Sequence, residues 1–331
     1  MLRDMEFGTG LETRGPSVSV TRSRVSTMEE AAVDPIVTGV IVKAGEVGAR
    51  VADSTAKEAG GLLVRLFGPS ADVMGQHWAE QLREKNLQRL LRKTEKRASE
   101  KEDSGGDPGY ANPRVASQIF ESAQYADSEV VAEYLSGVLA SSRSVTGAND
   151  AGVAWSSVVS RLSSDQLKLH YLLYVSARAQ VISQGFSQPN EAHRLEVAMP
   201  LNETFVSMAV QTTEQFADAV DGLMREGLIG DGYRYGTKDY LFEKELKRAD
   251  AQVDFPHANG VRLGMTIHGM RLFVWGTGAG PLGLGSYIDP SIALHTAEAS
   301  TEVPLFILPA YIVKNIITQN TEVHSLEQPL A

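Results

Sequence analysis

The glycine-rich run GAGPLG, residues 278–283, formally matches the phosphate-binding pattern G-x-G-x-x-G and follows a strand-like apolar segment, RLFVWG. In dinucleotide-binding proteins a helix opens directly after the glycines, so that its N–H groups point at the pyrophosphate. Here Pro281 lies inside the run, and no alternation of strands and helices surrounds it. The context favours a glycine-rich linker, and no cofactor is expected.

Asp127 and Glu129 are a second candidate, because two neighbouring carboxylates can serve as general acid and base. Both stand where a helix is predicted to begin, with Asp127 at the N-cap. A carboxylate there accepts hydrogen bonds from the first N–H groups and interacts favourably with the helix dipole. We prefer this structural role, and we assign no catalytic residue.

The seven histidines are scattered along the chain at positions 77, 170, 193, 257, 268, 295 and 324. No H-E-x-x-H motif occurs and the chain has no cysteine, so no metal site is predicted. His77 and His170 lie within helical patterns, where a histidine is usually a structural residue. No G-x-S-x-G motif supports a hydrolase serine. The chemistry therefore points to a protein without visible enzymatic activity.

A multi-helical body is predicted for residues 68–184. Residues 113–142 read as two short amphipathic helices around a polar turn, and each needs neighbours to cover its apolar face. A further short helix follows. Ser163 and Gln166 then form a capping-box pattern that opens the next helix.

The longest helical pattern in this body runs from residue 69 to residue 101. Residues 83–101 hold eight basic side chains, which invites an interpretation as a nucleic-acid or lipid-binding surface. Glu84, Glu95 and Glu100 are interleaved with them, and no aromatic residues alternate with the bases. A solvated helix face is the preferred interpretation.

Residues 185–276 have the pattern of a winged helix: helices, then short strands, with Leu263, Thr266 and Gly269 near the end. The candidate recognition helix, residues 213–226, carries four acidic residues against Arg225 alone. A helix that enters the major groove presents Arg, Lys, Asn or Gln to base edges and phosphates. We therefore interpret this module as a protein-contact module, and nucleic-acid binding is not expected.

The two ends of the chain are predicted to lie outside the helical body and the winged-helix-like module. Residues 1–27 lack periodicity and predict a disordered tail, whereas residues 28–67 form an apolar stripe weakened by glycines. This arm either docks on the body, which we prefer, or contacts or permeabilises a membrane through residues 30–67. Residues 277–331 are predicted to be a glycine-rich linker and an apolar tail whose fold stays open between strands and a helix.

Composition and charge limit where the protein is located and what it binds. The 331 residues are 43% apolar, and no secretory signal or run of about 18 apolar residues is apparent. Residues 1–113 carry 16 Lys and Arg against 17 Asp and Glu, and residues 114–331 carry 15 against 24. An acidic C-terminal part repels phosphate backbones. A cytoplasmic protein is expected, with a location peripheral to the membrane as the alternative.

The order of these motifs resembles the Abi-alpha family, named for abortive infection, over about residues 55–276. The family's pattern runs from a basic amphipathic helix, through a Pro-led helix, to a helix with an acidic pair and a closing wing-like strand pair. The matching residues are Asp127-x-Glu129, Leu139-Ala140, Leu162-Ser163-Ser164-Asp165, Gly227-Leu228-Ile229 and Leu263 to Phe273. The N-terminal arm and the region beyond Gly276 depart from the pattern.

This resemblance implies a mainly α bacterial protein linked to phage defence, with no established enzymatic chemistry. The fold expected is a multi-helical body followed by a degenerate winged-helix-like module with a few short strands. The expected function is phage defence through protein or membrane contacts, with a protein partner or a second copy of the chain. The alternative is a winged-helix transcriptional regulator that binds DNA.

Overall fold

The computed structural model describes residues 61, 63–68, 85–103, 109–192, 195–247 and 255–294. All of these residues belong to one unit of the chain, residues 52–331. The predicted disordered tail, most of the arm at residues 28–67 and the apolar tail beyond residue 294 lie outside the described residues. Within the described part, helices dominate and the strands form one small sheet, which confirms the predicted mainly α class.

The described part of the body includes five long helices: α1 (Lys85–Asp103), α2 (Pro113–Gln124), α3 (Glu129–Ser141), α4 (Gly152–Arg161) and α5 (Ser164–Ser183). Local sequence explains where two of them begin. The Asn112 side chain accepts a hydrogen bond from the Arg114 N–H, and Pro113 takes the first helical position, where no intrahelical donor is needed. At α5, Ser163 and Gln166 form the predicted capping box.

The start of α3 differs from the prediction by one residue. The N-cap is Ser128, whose backbone is extended, and not Asp127. The Asp127 carboxylate instead accepts a hydrogen bond from the Asn86 side chain of α1 at 3.2 Å. Packing against α1 therefore takes this carboxylate away from the helix terminus, while Glu129 stays in the first turn of α3.

A winged-helix arrangement follows α5. Its elements are α6 (Pro189–Ala192), β1 (Glu196–Pro200), α7 (Leu201–Met208), α8 (Thr213–Arg225), β2 (Ile229–Thr237), α9 (Lys238–Leu241), α10 (Glu243–Leu246) and β3 (Asn259–Met265). The strands form an antiparallel sheet in the order β1-β3-β2. Strand β1 is absent from the prediction, because four of its five residues are buried and the strand lacks the polar alternation that marks a half-exposed strand.

The sheet separates two apolar clusters. One face of β3 joins the main core through Val261 and Leu263. On the other face, α9 and Phe255 enclose a smaller cluster that consists of Ala198, Leu241, Phe242 and Phe255. Arg262 lies over the Phe242 ring there and pairs with Glu196. The described part of the connection between β2 and β3 thus packs on the sheet through Leu241, Phe242 and Phe255.

Residues 267–276 form a helix, α11 (Ile267–Gly276), and the strand predicted for RLFVWG is wrong. Thr266 caps this helix by accepting a hydrogen bond from the Gly269 N–H at 2.9 Å. Met270, Phe273 and Val274 recur at helical spacing and are buried. A short apolar run does not by itself distinguish a buried strand from a buried helix, so the predicted closing strand pair is one strand followed by this helix.

Helix α3 lies at the centre of the body and contacts α1, α2, α4, α5 and α11. Its closest approach is to the C-terminal end of α11. A Cβ atom added at Gly137 would lie 1.7 Å from the Gly276 carbonyl oxygen, and one added at Gly276 would lie 2.4 Å from the Tyr134 ring. The two backbones can meet only because both positions lack a side chain.

Residues 277–294 do not behave as the predicted linker, because they pack on the body. They form two 3₁₀ turns, Gly280–Leu282 and Leu284–Tyr287. The Tyr287 side chain is fully buried, and its hydroxyl donates to the Tyr174 carbonyl of α5 at 2.7 Å. The glycines allow this chain to lie close to α3, where a Cβ at Gly280 would be 2.8 Å from Ser141.

Candidate functional site

Helix α8 occupies the position of a winged-helix recognition helix and is amphipathic. The Thr212 hydroxyl caps it by accepting from the Gln215 N–H, and Phe216, Val220 and Leu223 are buried beneath it. Its outward face carries an exposed row of carboxylates, formed by Glu214, Asp218 and Asp221. We call these three residues the α8 acidic row.

A group of tyrosines lies beside α8 on the neighbouring strand. Helix α8 packs against β2, where the rings of Tyr233 and Tyr235 stack with centroids 6.1 Å apart. Tyr235 is 52% exposed and Tyr240, which follows on α9, is 55% exposed. Burial, and then the charge of Asp221, raise the pKa of Tyr233 above its ordinary value. The tyrosine pair therefore continues the surface of the acidic row.

Two described basic residues lie at the C-terminal end of α8. Arg161 of α4 donates to both oxygens of Glu226, the C-cap of α8, at 3.2 and 2.6 Å. This contact is the largest cause of the lowered pKa of Glu226. Arg225 is the one basic residue on α8 itself. DNA affinity depends on neutralising phosphates with Lys and Arg, whereas this face presents three exposed carboxylates.

The basic residues of α1 form a second feature, and it corrects the predicted solvated face. Arg89, Lys93 and Arg97 follow one another at four-residue spacing and point at α3. Lys93 pairs with Glu129 and Glu133, and Arg97 pairs with Glu133. The side chains of Lys93, Arg97 and Glu133 are 10%, 12% and 4% exposed. Other basic residues of α1 do remain exposed, but this row holds two helices together.

A buried histidine links α5 to its neighbours. His170 is fully buried, and its Nδ1 lies 2.6 Å from the Tyr134 hydroxyl while its Nε2 lies 3.1 Å from the Gly269 carbonyl. A carbonyl can only accept, so Nε2 carries the proton and Nδ1 accepts from Tyr134. The Tyr174 hydroxyl, one turn along, donates to the Leu228 carbonyl at 2.5 Å. His170 is thus a satisfied structural residue.

Burial lowers the pKa of His170 to about 3, so the folded protein holds this side chain in its neutral form. An unfolded histidine titrates near pH 6.5, and between that pH and about 3 the unfolded chain binds a proton that the folded chain does not. Stability should therefore fall as the pH drops through this range. Within this range, His170 alone should lower the free energy of unfolding by about 1.4 kcal/mol for each pH unit.

His170→Gln should reduce this pH dependence, because an amide can accept from Tyr134 and donate to Gly269 without titrating. Urea unfolding at a series of pH values between 6.5 and 4 measures the effect. The difference in unfolding free energy between the variant and the wild type should shift in favour of the variant as the pH falls. Two parallel pH curves would contradict the assignment of this proton to His170.

The remaining candidate residues are not brought together. His257 lies beside Glu203 at 3.2 Å, and His268 lies beside the Trp155 ring. His77, His193, His295 and His324 lie outside the described residues. Among the described residues, no group of three His, Asp or Glu side chains is placed to hold a metal ion. The glycine-rich run follows a helix rather than a strand, and the Gly280 N–H already donates to the Ser141 hydroxyl at 3.1 Å.

The sequence analysis assigns no role to Tyr233 and Tyr235, which form the second half of the site. Tyr233 and Tyr235 are two residues apart and therefore share one face of a strand, which is the signal that was available. The proximity of Tyr233 to Asp221 depends on how α8 packs on β2. This packing joins residues that no local pattern relates.

No family model, curated protein or solved structure matches this chain. In the described part of the chain, no helix is both long enough and apolar enough to cross a membrane. The structure places Leu162-Ser163-Ser164-Asp165 at the junction of α4 and α5, and Gly227-Leu228-Ile229 at the entry to β2. The likeness to the Abi-alpha family depends on the order of these motifs and stays a hypothesis.

Proposed function

We propose that this chain is a phage-defence protein of the abortive-infection type that acts by binding a protein partner through α8 and β2. The observation that carries the proposal is the α8 acidic row: a helix in the recognition position presents carboxylates where a DNA-binding helix needs basic and amide side chains. The order of the Abi-alpha motifs supplies the biological setting. The proposal assigns no catalytic residue, cofactor or metal.

Exposed tyrosines support the choice of a protein as the partner. Tyrosine is enriched at protein–protein interfaces because it offers a large contact area with a polar end. Tyr235 and Tyr240 are both more than half exposed and lie on the same module as the acidic row. The two other routes named from the sequence, a second copy of the chain and a membrane contact through residues 30–67, remain predictions.

Phage plating tests the proposal. Cells that express the full chain should give fewer plaques than cells without the gene, and Asp218→Lys should restore plaquing because it reverses a charge in the acidic row. Glu121→Lys on α2 is the matched control, since Glu121 is exposed and distant in the sequence, and it should keep protection. Equal plaquing with and without the gene would discard the defence role.

The alternative is a winged-helix regulator, and the strand order β1-β3-β2 favours keeping it as a second candidate. A gel shift with genomic fragments at low salt separates the two functions, because phosphate contacts are strongest there. We expect no sequence-specific retention of DNA. Specific retention that Asp218→Lys does not improve would favour the regulator.

A further inference from the structure

Among the described residues, no basic side chain forms a salt bridge with the exposed face of α8. Glu214, Asp218 and Asp221 follow at spacings of four and three residues and so lie along one side of the helix, over about 10 Å. None of the three makes a salt bridge with another described residue. Their mutual repulsion is relieved when cations bind between them.

Aromatic rings continue this face toward β2. The stacked pair of Tyr233 and Tyr235 lies on the strand that α8 contacts, and Tyr235 leaves about half of its surface open. A guanidinium group stacks on such a ring and at the same time donates to a carboxylate in its own plane. Lysine has a compact ammonium group that is more strongly hydrated and cannot pair in the same two-pronged way.

We infer that the partner presents an arginine-rich, extended segment that lies along the α8 acidic row and stacks on Tyr235. This inference rests on the proposed function and names the chemistry of the partner. A nucleic acid is disfavoured because its phosphates would face three carboxylates, and an acidic membrane surface is disfavoured for the same reason. Charge complementarity therefore selects a cationic polypeptide.

Fluorescence anisotropy with the full chain tests the inference. The probes are a labelled peptide of alternating arginine and glycine, the corresponding lysine peptide, and the corresponding glutamate peptide. We expect the arginine peptide to bind more tightly than the lysine peptide, and the glutamate peptide not to bind. Added salt should weaken the binding, because the charges are exposed. Equal affinity for the arginine and lysine peptides would overturn the role of the tyrosines.

Three variants locate the site. Asp218→Lys should weaken the arginine peptide about tenfold, since it exchanges an attraction for a repulsion. Glu121→Lys makes the same charge change on α2 and should alter the affinity by less than about twofold, because Glu121 is exposed and lies outside the acidic row. Tyr235→Ala should weaken the arginine peptide more than the lysine peptide. Equal losses from Asp218→Lys and Glu121→Lys would mean that only net charge matters, and would overturn the inference.

The experiments distinguish a failure of the proposed defence role from a failure of the inference about an arginine-rich partner. If the peptide does not bind but Asp218→Lys still abolishes phage protection, the partner is not arginine-rich and the defence role stands. If the peptide binds at the acidic row but the gene gives no protection, the recognition chemistry stands and the defence role fails. Circular dichroism of each variant confirms that it is folded, which keeps a lost affinity from reflecting a lost fold.

Discussion

Replacing Gly137 with Ala should lower the free energy of unfolding by roughly 3 kcal/mol or more, because the new methyl group enters the space of a backbone atom. The Cβ would lie 1.7 Å from the Gly276 carbonyl oxygen, and a backbone atom cannot move aside as the end of a flexible side chain can. Helices α3 and α11 would have to separate. Elsewhere in a helix the same substitution stabilises by up to about 1 kcal/mol.

Gly61→Ala is the matched control, since Gly61 is also helical and a Cβ there meets no atom of a described residue within 4 Å. Urea unfolding followed by circular dichroism should show a lower midpoint for Gly137→Ala and an unchanged or higher midpoint for Gly61→Ala. Similar midpoints for the two variants would show that α3 and α11 are not in backbone contact at Gly137.

Glu133→Gln should be the next most damaging change, with a loss of about 3 kcal/mol, because it leaves two nearly buried cations without their shared counter-charge. Glu133 is 4% exposed and accepts from both Lys93 and Arg97. The shape of the side chain is kept, so a loss of stability reports charge rather than packing. Lys93 retains a contact with Glu129, and among the described residues Arg97 retains a hydrogen bond to the Ser136 hydroxyl.

A triple replacement of Lys93, Arg97 and Glu133 by methionine tests whether unpaired charge causes the loss of stability. Removing all three charges together also removes their desolvation cost, so the triple variant should be more stable than Glu133→Gln. Glu121→Gln, an exposed carboxylate on the same body, should change stability by less than about 0.5 kcal/mol. A triple variant less stable than Glu133→Gln would show that these side chains act through packing instead.

The fold class was predictable because it depends on local periodicity. The capping box at Ser163 and the Pro-led start of α2 are short-range signals, and both lie where they were predicted. The errors arise where tertiary contacts decide. Asp127 is drawn to Asn86, forty-one residues away in the chain, and RLFVWG is apolar enough to suit either a strand or a buried helix.

The candidate site was predictable in part. The acidic character of α8 is visible in the sequence, because four carboxylates against one arginine need no structure to be counted. The pairing of the basic α1 residues was not predictable, since Lys93 and Glu133 are forty residues apart and only helix packing brings them together. The position of Tyr233 next to Asp221 was hidden for the same reason.

Helix α5 belongs to both halves of the described structure, and this has a mechanical consequence. His170 and Tyr174 on one side of α5 are bonded to Gly269 and Leu228, while Ser163 at its start joins it to α4. Because of these contacts, we expect residues 185–276 to lose stability when they are excised from the body. Limited proteolysis should yield one resistant core rather than two, and force applied at α8 would be transmitted directly to the centre of the body.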